Sequence, residues 1–408
     1  MRILLLTPVP PDRDAPGAIP ALVHAALVGL SIDHDVVLVT PAGPDPAELA
    51  AADRLRSEGW QVHAVPRHLD RRRWRRRARM SGAWLRGRLP WRTVWFHEPA
   101  VQAELDTLLA RGGFDVVAVE DNSMATYDLP TTVATVLTEH EVRRPRPVDW
   151  HAGPLRQWPE WAFREYDWHR WPRYQRGVWK RFDAVQVFTD RDARALAEVA
   201  PNLASRVHVA PFGIELPSHT TDALPEPDSI AFIGNYTHPP NVDAALWLAR
   251  DVLPLVRGRI ATATLTLAGL HAPDEVLQLA GRSIEVVGMV EDADAFMRRH
   301  AVLAAPVRTG GGMRMKVLHA MSLACAVVTT TRGAEGLRFE GDPPLAIADD
   351  AASLADAIIR LLQDDVGRRD VGERARAFVE VNHSPAAVAR RLEAVYAAAI
   401  ETHRTVSP

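Results

Sequence analysis

The chain has 408 residues, a mass of 45.1 kDa and a formal net charge of −3 at pH 7, with 47% apolar and 24% charged residues. That balance excludes a mainly disordered chain and a polycation built for nucleic acid, and at roughly 100–200 residues per domain it predicts two or three domains. The single cysteine, Cys325, excludes an internal disulfide framework and a cysteine-cluster zinc site, and a reducing, cytoplasmic setting is the simplest expectation.

No run reaches the ~18–20 apolar residues of a membrane span. The opening residues are too short in apolar core for a signal peptide and read as a buried strand over 3–7. A loop through Gly17 leads to a helix over about 20–30. Strands are expected over 35–40, 114–120, 132–138 and 182–189, the last running into a helix that opens at Asp190. Short apolar runs separated by helices predict a parallel sheet with helices on both faces.

Residues 211–228, rich in Pro, Thr, Ser, Asp and Glu, read as a linker. The rhythm then restarts, with a strand over 229–234 and a helix over 241–256. Strands follow over 263–268, 284–287 and 301–305, then a helix over 313–323, strands over 326–330 and 345–348, and helices near 351–364 and 385–402. Two doubly wound halves predict a cleft between them, with ligands at the carboxyl ends of the strands.

The sharpest motif runs from Val307 to Met321. It follows a strand, carries Gly310, Gly311 and Gly312, and opens a helix with Arg314 and Lys316 in its first turn. Bare backbone, unpaired N–H groups, a helix dipole and two cations suit a diphosphate. The alternative is a surface turn with solvated cations. The chain holds only two lysines, Lys180 and Lys316, against 46 arginines, which marks Lys316 out and devalues most arginines. A second motif is the strand end at Gly234 and Asn235, where glycine allows a ligand close to the backbone. Asn241 reads as the N-cap of the next helix.

Glu120, Asp121 and Glu139 lie at or beyond strand ends, where they could touch an acceptor or be solvated loop carboxylates. His140, His151, His169, His271 and His319 lack metal-ligand spacing. Arginines crowd the stretch from Arg67 to Arg92, with apolar anchors at Leu69, Trp74, Trp84 and Leu85. This run could be a solvated face, a site for a phosphorylated acceptor or even nucleic acid, or a peripheral contact with an inner membrane face. Six tryptophans, at 150, 158, 161, 168, 171 and 179, could stack against an acceptor or pack a helical insertion.

Residues 229–257, 284–291 and 302–337, through Gly234-Asn-Tyr-Thr-His-Pro-Pro-Asn, Ala305-Pro-Val-Arg-Thr-Gly-Gly-Gly-Met-Arg-Met-Lys and Thr330-Thr-Arg-Gly-Ala-Glu-Gly-Leu, resemble the donor domain of family 4 glycosyltransferases. The stretches at 114–120 and 138–142 match more loosely. The resemblance implies an α/β protein of GT-B fold, two Rossmann-like domains facing a central cleft. Residues 1–212 would form the acceptor-binding domain, with a last helix over 386–404 packing back on it. Residues 213–228 would be the linker and 229–385 the nucleotide-sugar domain. It also implies sugar transfer from a nucleotide-diphosphate sugar (UDP, GDP or dTDP) to a small-molecule or glycan acceptor, retaining and without a metal or other cofactor.

By the same resemblance, Arg314 and Lys316 would neutralise the diphosphate. Gly234, Asn235, Thr309, Gly310, Gly311, Gly312 and Met313 would border the donor, and Met289 and Val290 the base. His140 would face the donor sugar, and Gly17, Glu120, Asp121 and Glu139 would lie on the acceptor side. Many relatives carry two glutamates where this chain has Gly311 and His319, which leaves the ribose contact open. An epimerase or hydrolase on the same fold, and a non-catalytic nucleotide-sugar binder, are the alternatives.

Overall fold

Apolar runs with few polar interruptions form two separate all-parallel sheets, as strands covered on both faces should. The computed structural model describes residues 1–15, 17–67, 81–82, 84–87, 89–144, 158–217, 224–311 and 313–406. In the first sheet β1 (Arg2–Leu6), β2 (Asp35–Ala42), β3 (Gln61–Pro66), β4 (Val116–Glu120), β5 (Ala134–Glu139), β6 (Ala184–Val187) and β7 (Val207–Val209) take the order β3-β2-β1-β4-β5-β6-β7. In the second, β8 (Glu226–Ile233), β9 (Thr264–Ala268), β10 (Ile284–Gly288), β11 (His300–Ala305), β12 (Ala326–Thr329) and β13 (Ala346–Ile347) take the order β10-β9-β8-β11-β12-β13. Strand order reverses beside β1 in one and beside β8 in the other. Such reversals open a crevice at the strands' carboxyl ends, and the loops of Gly234 and Arg314 lie at such an end.

The chain divides into two units, Met1–Ala210 with Val388–Pro408, and Pro211–Ala387. Each has its own core. The first packs Leu4, Leu6, Val117, Leu137 and Val185 under Trp179 and Phe182. The second packs Ile230, Phe232, Leu265, Val302 and Val328 under Leu248 and Ile358. The helix Pro385–Val406 begins in the second unit, and from Val388 onward it belongs to the first. There Glu393 accepts from His34 Nε2 at 2.9 Å, His403 Nδ1 pairs with Asp183 at 3.2 Å, and Tyr396 is fully buried.

Three sequence expectations need correction. The stretch 211–228 is not linker throughout, because β8 begins inside it at Glu226. Pro211, Phe212, Gly213 and Ile214 are buried, and His383 fastens this segment by accepting from Ile214 N at 2.9 Å and bonding Phe212 O through Nδ1 at 2.7 Å. Arg376 donates to Pro217 O. A helix over Asp365–His383 lies between the two expected at the end of the chain. Gly367 and Gly372 hid it, yet Asp364 caps it through Gly367 N, and a Cβ on Gly372 would lie 2.0 Å from Ala324 O. The single helix expected over 241–256 is three pieces, Pro239–Trp247, a π-turn at Leu248–Val252 and Leu253–Arg257, divided where Pro254 cannot donate.

Candidate active site

In the second unit the site begins with glycines at three adjacent strand ends. Gly269 N donates to Gly288 O at 2.6 Å and Gly234 N to Ala268 O at 3.0 Å. A Cβ on Gly269 would fall 1.7 Å from Gly234 O, and one on Gly234 would fall 2.6 Å from Lys316 Nζ and 2.9 Å from Asn241 Cγ. Close approach demands glycine at both positions, and at Gly269 a φ of 146° demands it as well.

Asn241 is not the N-cap expected of it. The helix Pro239–Trp247 is entered through His238, and Asn241 sits inside its first turn. Its amide donates to Asn235 O at 2.7 Å and its oxygen accepts from Lys316 Nζ at 2.8 Å. Asn235 Oδ1 in turn accepts from the amide and hydroxyl of Thr237. The Lys316 ammonium lies 4.2 Å from the Phe232 ring centroid. Burial, helped by the charge of Arg314, pushes its pKa down to about 7.

Arg314 immediately precedes the helix Met315–Ser322 and curls over its own loop, donating to Gly311 O at 2.8 Å and Thr309 O at 3.1 Å. The geometry thus joins Gly234, Asn235, Thr309, Gly310, Gly311, Arg314 and Lys316 in two hydrogen-bonded loops at the ends of β8 and β11. Met313 is turned into the core instead. Gly312 lies outside the described residues. Met289, 65% exposed, and Val290 follow β10 directly. His319 Nε2 donates to Asp294 Oδ1 at 2.6 Å, so the position read as a replaced glutamate is backed by a carboxylate from the helix Ala293–Arg299.

The first unit carries a second cluster, at the ends of β4 and β5. Glu120, Asp121 and Glu139 are buried, none of them a solvated loop carboxylate, and Glu139 is 1% exposed. Glu120 accepts from His140 Nε2 at 3.1 Å and from Thr138 Oγ1 at 2.9 Å. Glu139 accepts from Asn122 Nδ2 at 2.6 Å and Trp179 Nε1 at 2.8 Å. Burial nonetheless pushes its pKa up to about 7, with the charge of Asp121 adding to the rise. Asp121, at φ 69°, accepts from Ser123 N and pairs with Arg92 at 3.2 Å. Burial alone would raise its pKa, but Arg92, His140 and Ser123 outweigh it and hold the carboxyl below its usual range. Gly17 is exposed where the chain enters the helix Ala18–Leu30.

The ends of the arginine run are both held by carboxylates. Arg67 donates to Pro8 O and pairs with Glu48, and Arg92 pairs with Asp121. Residues 68–80, with Leu69 and Trp74, lie outside the described residues, as do His151 and Trp150. Of the tryptophan group, Trp161, Trp171 and Trp179 are buried, and Trp179 belongs to the core of the first sheet. Among the described residues no three His, Cys, Asp or Glu side chains come together as a metal site, and no helix is long and apolar enough to cross a membrane.

Known structures decide the architecture. TarM superposes with a TM-score of 0.67 at 9% identity, over 97% of this chain and 98% of that one. Alr3699/HepE of Anabaena, in complex with UDP and glucose, gives 0.63 at 13% identity over 96% and 98%. The fold is GT-B. Residues 227–364 match the family model of the glycosyl transferases group 1. An uncharacterized 44.6 kDa protein of the cps region in Klebsiella pneumoniae is 27% identical over 188 residues, 42% of this chain. That match spans about half the length of the curated relative, 48%.

Sequence reasoning overlooked Asn241 as the partner of Lys316, Gly269 and Gly288 as the neighbours of Gly234, Asp294 behind His319, and Thr138, Asn122 and Trp179 around the carboxylates. The glycines were readable, since each closes an apolar strand. The other contacts join residues far apart in sequence and left no local signal.

Proposed function

We propose that this GT-B protein is a glycosyltransferase moving a sugar from a nucleotide-diphosphate sugar to an acceptor. The observation that carries the reading is the cradle of Gly234, Asn241, Arg314 and Lys316, inside the segment that matches the group 1 family. Cleaving a glycosyl–phosphate bond builds negative charge on the diphosphate. Fixed cations and backbone N–H groups at that position lower the barrier, one good donor being worth ~2.7–4 kcal/mol. Arg314 and Lys316 supply that charge, so the reaction is proposed to need no metal; retention of configuration is proposed only from the resemblance to family 4. In this reading Met289 and Val290 border the base, His319 with Asp294 meets a ribose hydroxyl, and the first unit takes the acceptor, a small molecule or a glycan intermediate. The known structures support a nucleotide donor to the extent that HepE was solved with UDP and glucose.

The test is a calorimetric screen of UDP, GDP, dTDP, ADP and CDP on the wild type and on the double variant Arg314→Ala with Lys316→Ala. Tight binding of one diphosphate, lost in the double variant, is expected. Binding of none overturns the reading. Turnover of the matching nucleotide sugar without acceptor would instead identify a hydrolase or epimerase, and binding without turnover a nucleotide-sugar binder.

A further inference from the structure

The imidazole of His140 is held on two sides. Nε2 meets Glu120 Oε2 at 3.1 Å, and the Phe188 ring stands edge-on with centroids 5.1 Å apart and planes at 90°. Glu120 is itself fixed, because its other oxygen accepts from Thr138 Oγ1 at 2.9 Å. With Nε2 committed, Nδ1 is the ring nitrogen without a partner among the described residues, at the carboxyl end of β5, where open sheets present their ligands.

From this geometry we infer that Glu120 is the positioning residue for His140, fixing its tautomer so that Nδ1 is the atom offered to the substrate. The inference rests on the transfer reading above for the reaction it serves. A carboxylate behind an imidazole sets which nitrogen carries the proton and stabilises the cation. The surroundings agree. Burial would lower the imidazole's pKa, but the hydrogen bond and charge of Glu120, with Asp121 behind them, outweigh it and raise it, while Arg92 opposes. Glu139 lies beside His140 in sequence, and Tyr396 of the last helix is close enough to feel the charge of Glu120. Protonated, the ring donates Nδ1–H to a substrate oxygen. Neutral, with Nε2–H given to Glu120, it offers the Nδ1 lone pair.

Histidine-selective ¹⁵N labelling of the full chain tests this, with the His140 signal assigned by its loss in His140→Gln. The neutral form should carry its proton on Nε2, and in Glu120→Gln the titration midpoint should fall. Glu120→Asp should restore part of the fall. In parallel, kcat for transfer should drop on the order of 100-fold in Glu120→Gln, with the Kd for the nucleoside diphosphate unchanged. A neutral form protonated on Nδ1, or a midpoint unmoved by Glu120→Gln, overturns the inference, as does an unchanged kcat. Should the wild type transfer no sugar at all, the transfer reading fails while the ¹⁵N signals still decide the role of Glu120.

Discussion

If the proposed site takes a diphosphate, Lys316 makes its binding a proton-linked event. Its ammonium sits between Asn241 and the face of Phe232 with a pKa near 7, against an ordinary 10.5. A bound diphosphate stabilises the charged form and returns the pKa toward the ordinary value, so binding takes up a proton whenever the free protein lacks it. Well below pH 7 the lysine is already charged and adds no further pH dependence of its own. Above pH 7 affinity falls about tenfold per unit, ~1.4 kcal/mol each, which amounts to about 50-fold between pH 7 and 9. At pH 8 the uptake is about 0.9 proton per site. Calorimetry in two buffers of different ionisation enthalpy measures it directly. Lys316→Ala should bind more weakly at pH 7 and show no uptake. Zero uptake at pH 8 by the wild type, or affinity constant from pH 7 to 9, would refute the argument that burial governs this lysine.

Gly234→Ala sets a methyl 2.6 Å from Lys316 Nζ. It should weaken diphosphate binding about tenfold or more, with little change in Tm, because the clash is with a side chain that can move. Gly269→Ala sets one 1.7 Å from a backbone oxygen that cannot move, and should cost about 3 kcal/mol or more in thermal unfolding. Glu139, with its pKa raised to about 7 from 4.5, holds a proton in the folded state that the unfolded chain has already lost. Stability should therefore fall as pH rises through that window, by about 3 kcal/mol for this group, and Glu139→Gln should flatten the slope seen in Tm between pH 5 and 8. Arg376→Ala removes the buried guanidinium that donates to Ser322 O and Pro217 O. It should destabilise the second unit by about 2–4 kcal/mol, measured by urea unfolding.

Much of this architecture is written locally. Apolar runs such as Phe114–Glu120 declare themselves as buried parallel strands because both sheet faces are covered. The glycine loop before Met315 is equally plain, since three glycines and two cations fall within a few residues. Burial of charge is not local. Glu120, Asp121 and Glu139 look like loop acids until Thr138, Arg92, Asn122 and Trp179 surround them. The helix Asp365–His383 escaped notice because its Gly372 is chosen for its fit against Ala324, not for helix propensity. Asn241 reads as a cap for a related reason. A capping residue and a lysine partner share the same chemistry, and only Lys316, 75 positions away, distinguishes them.

The route of the chain has a consequence for its synthesis. The first unit is discontinuous, made of Met1–Ala210 and Val388–Pro408. During translation its seven strands, all before Ala210, emerge early, but its last helix cannot dock until the intervening unit has left the ribosome. At about 5–20 residues per second that wait lasts roughly 10–35 s. Throughout it, the seat of Tyr396 is empty, and His34 and Asp183 lack Glu393 and His403. The second unit, contiguous from Pro211 to Ala387, faces no such delay. The part of the molecule begun first is therefore the part finished last, and it is the half most exposed to chaperones and proteases while the chain is being made.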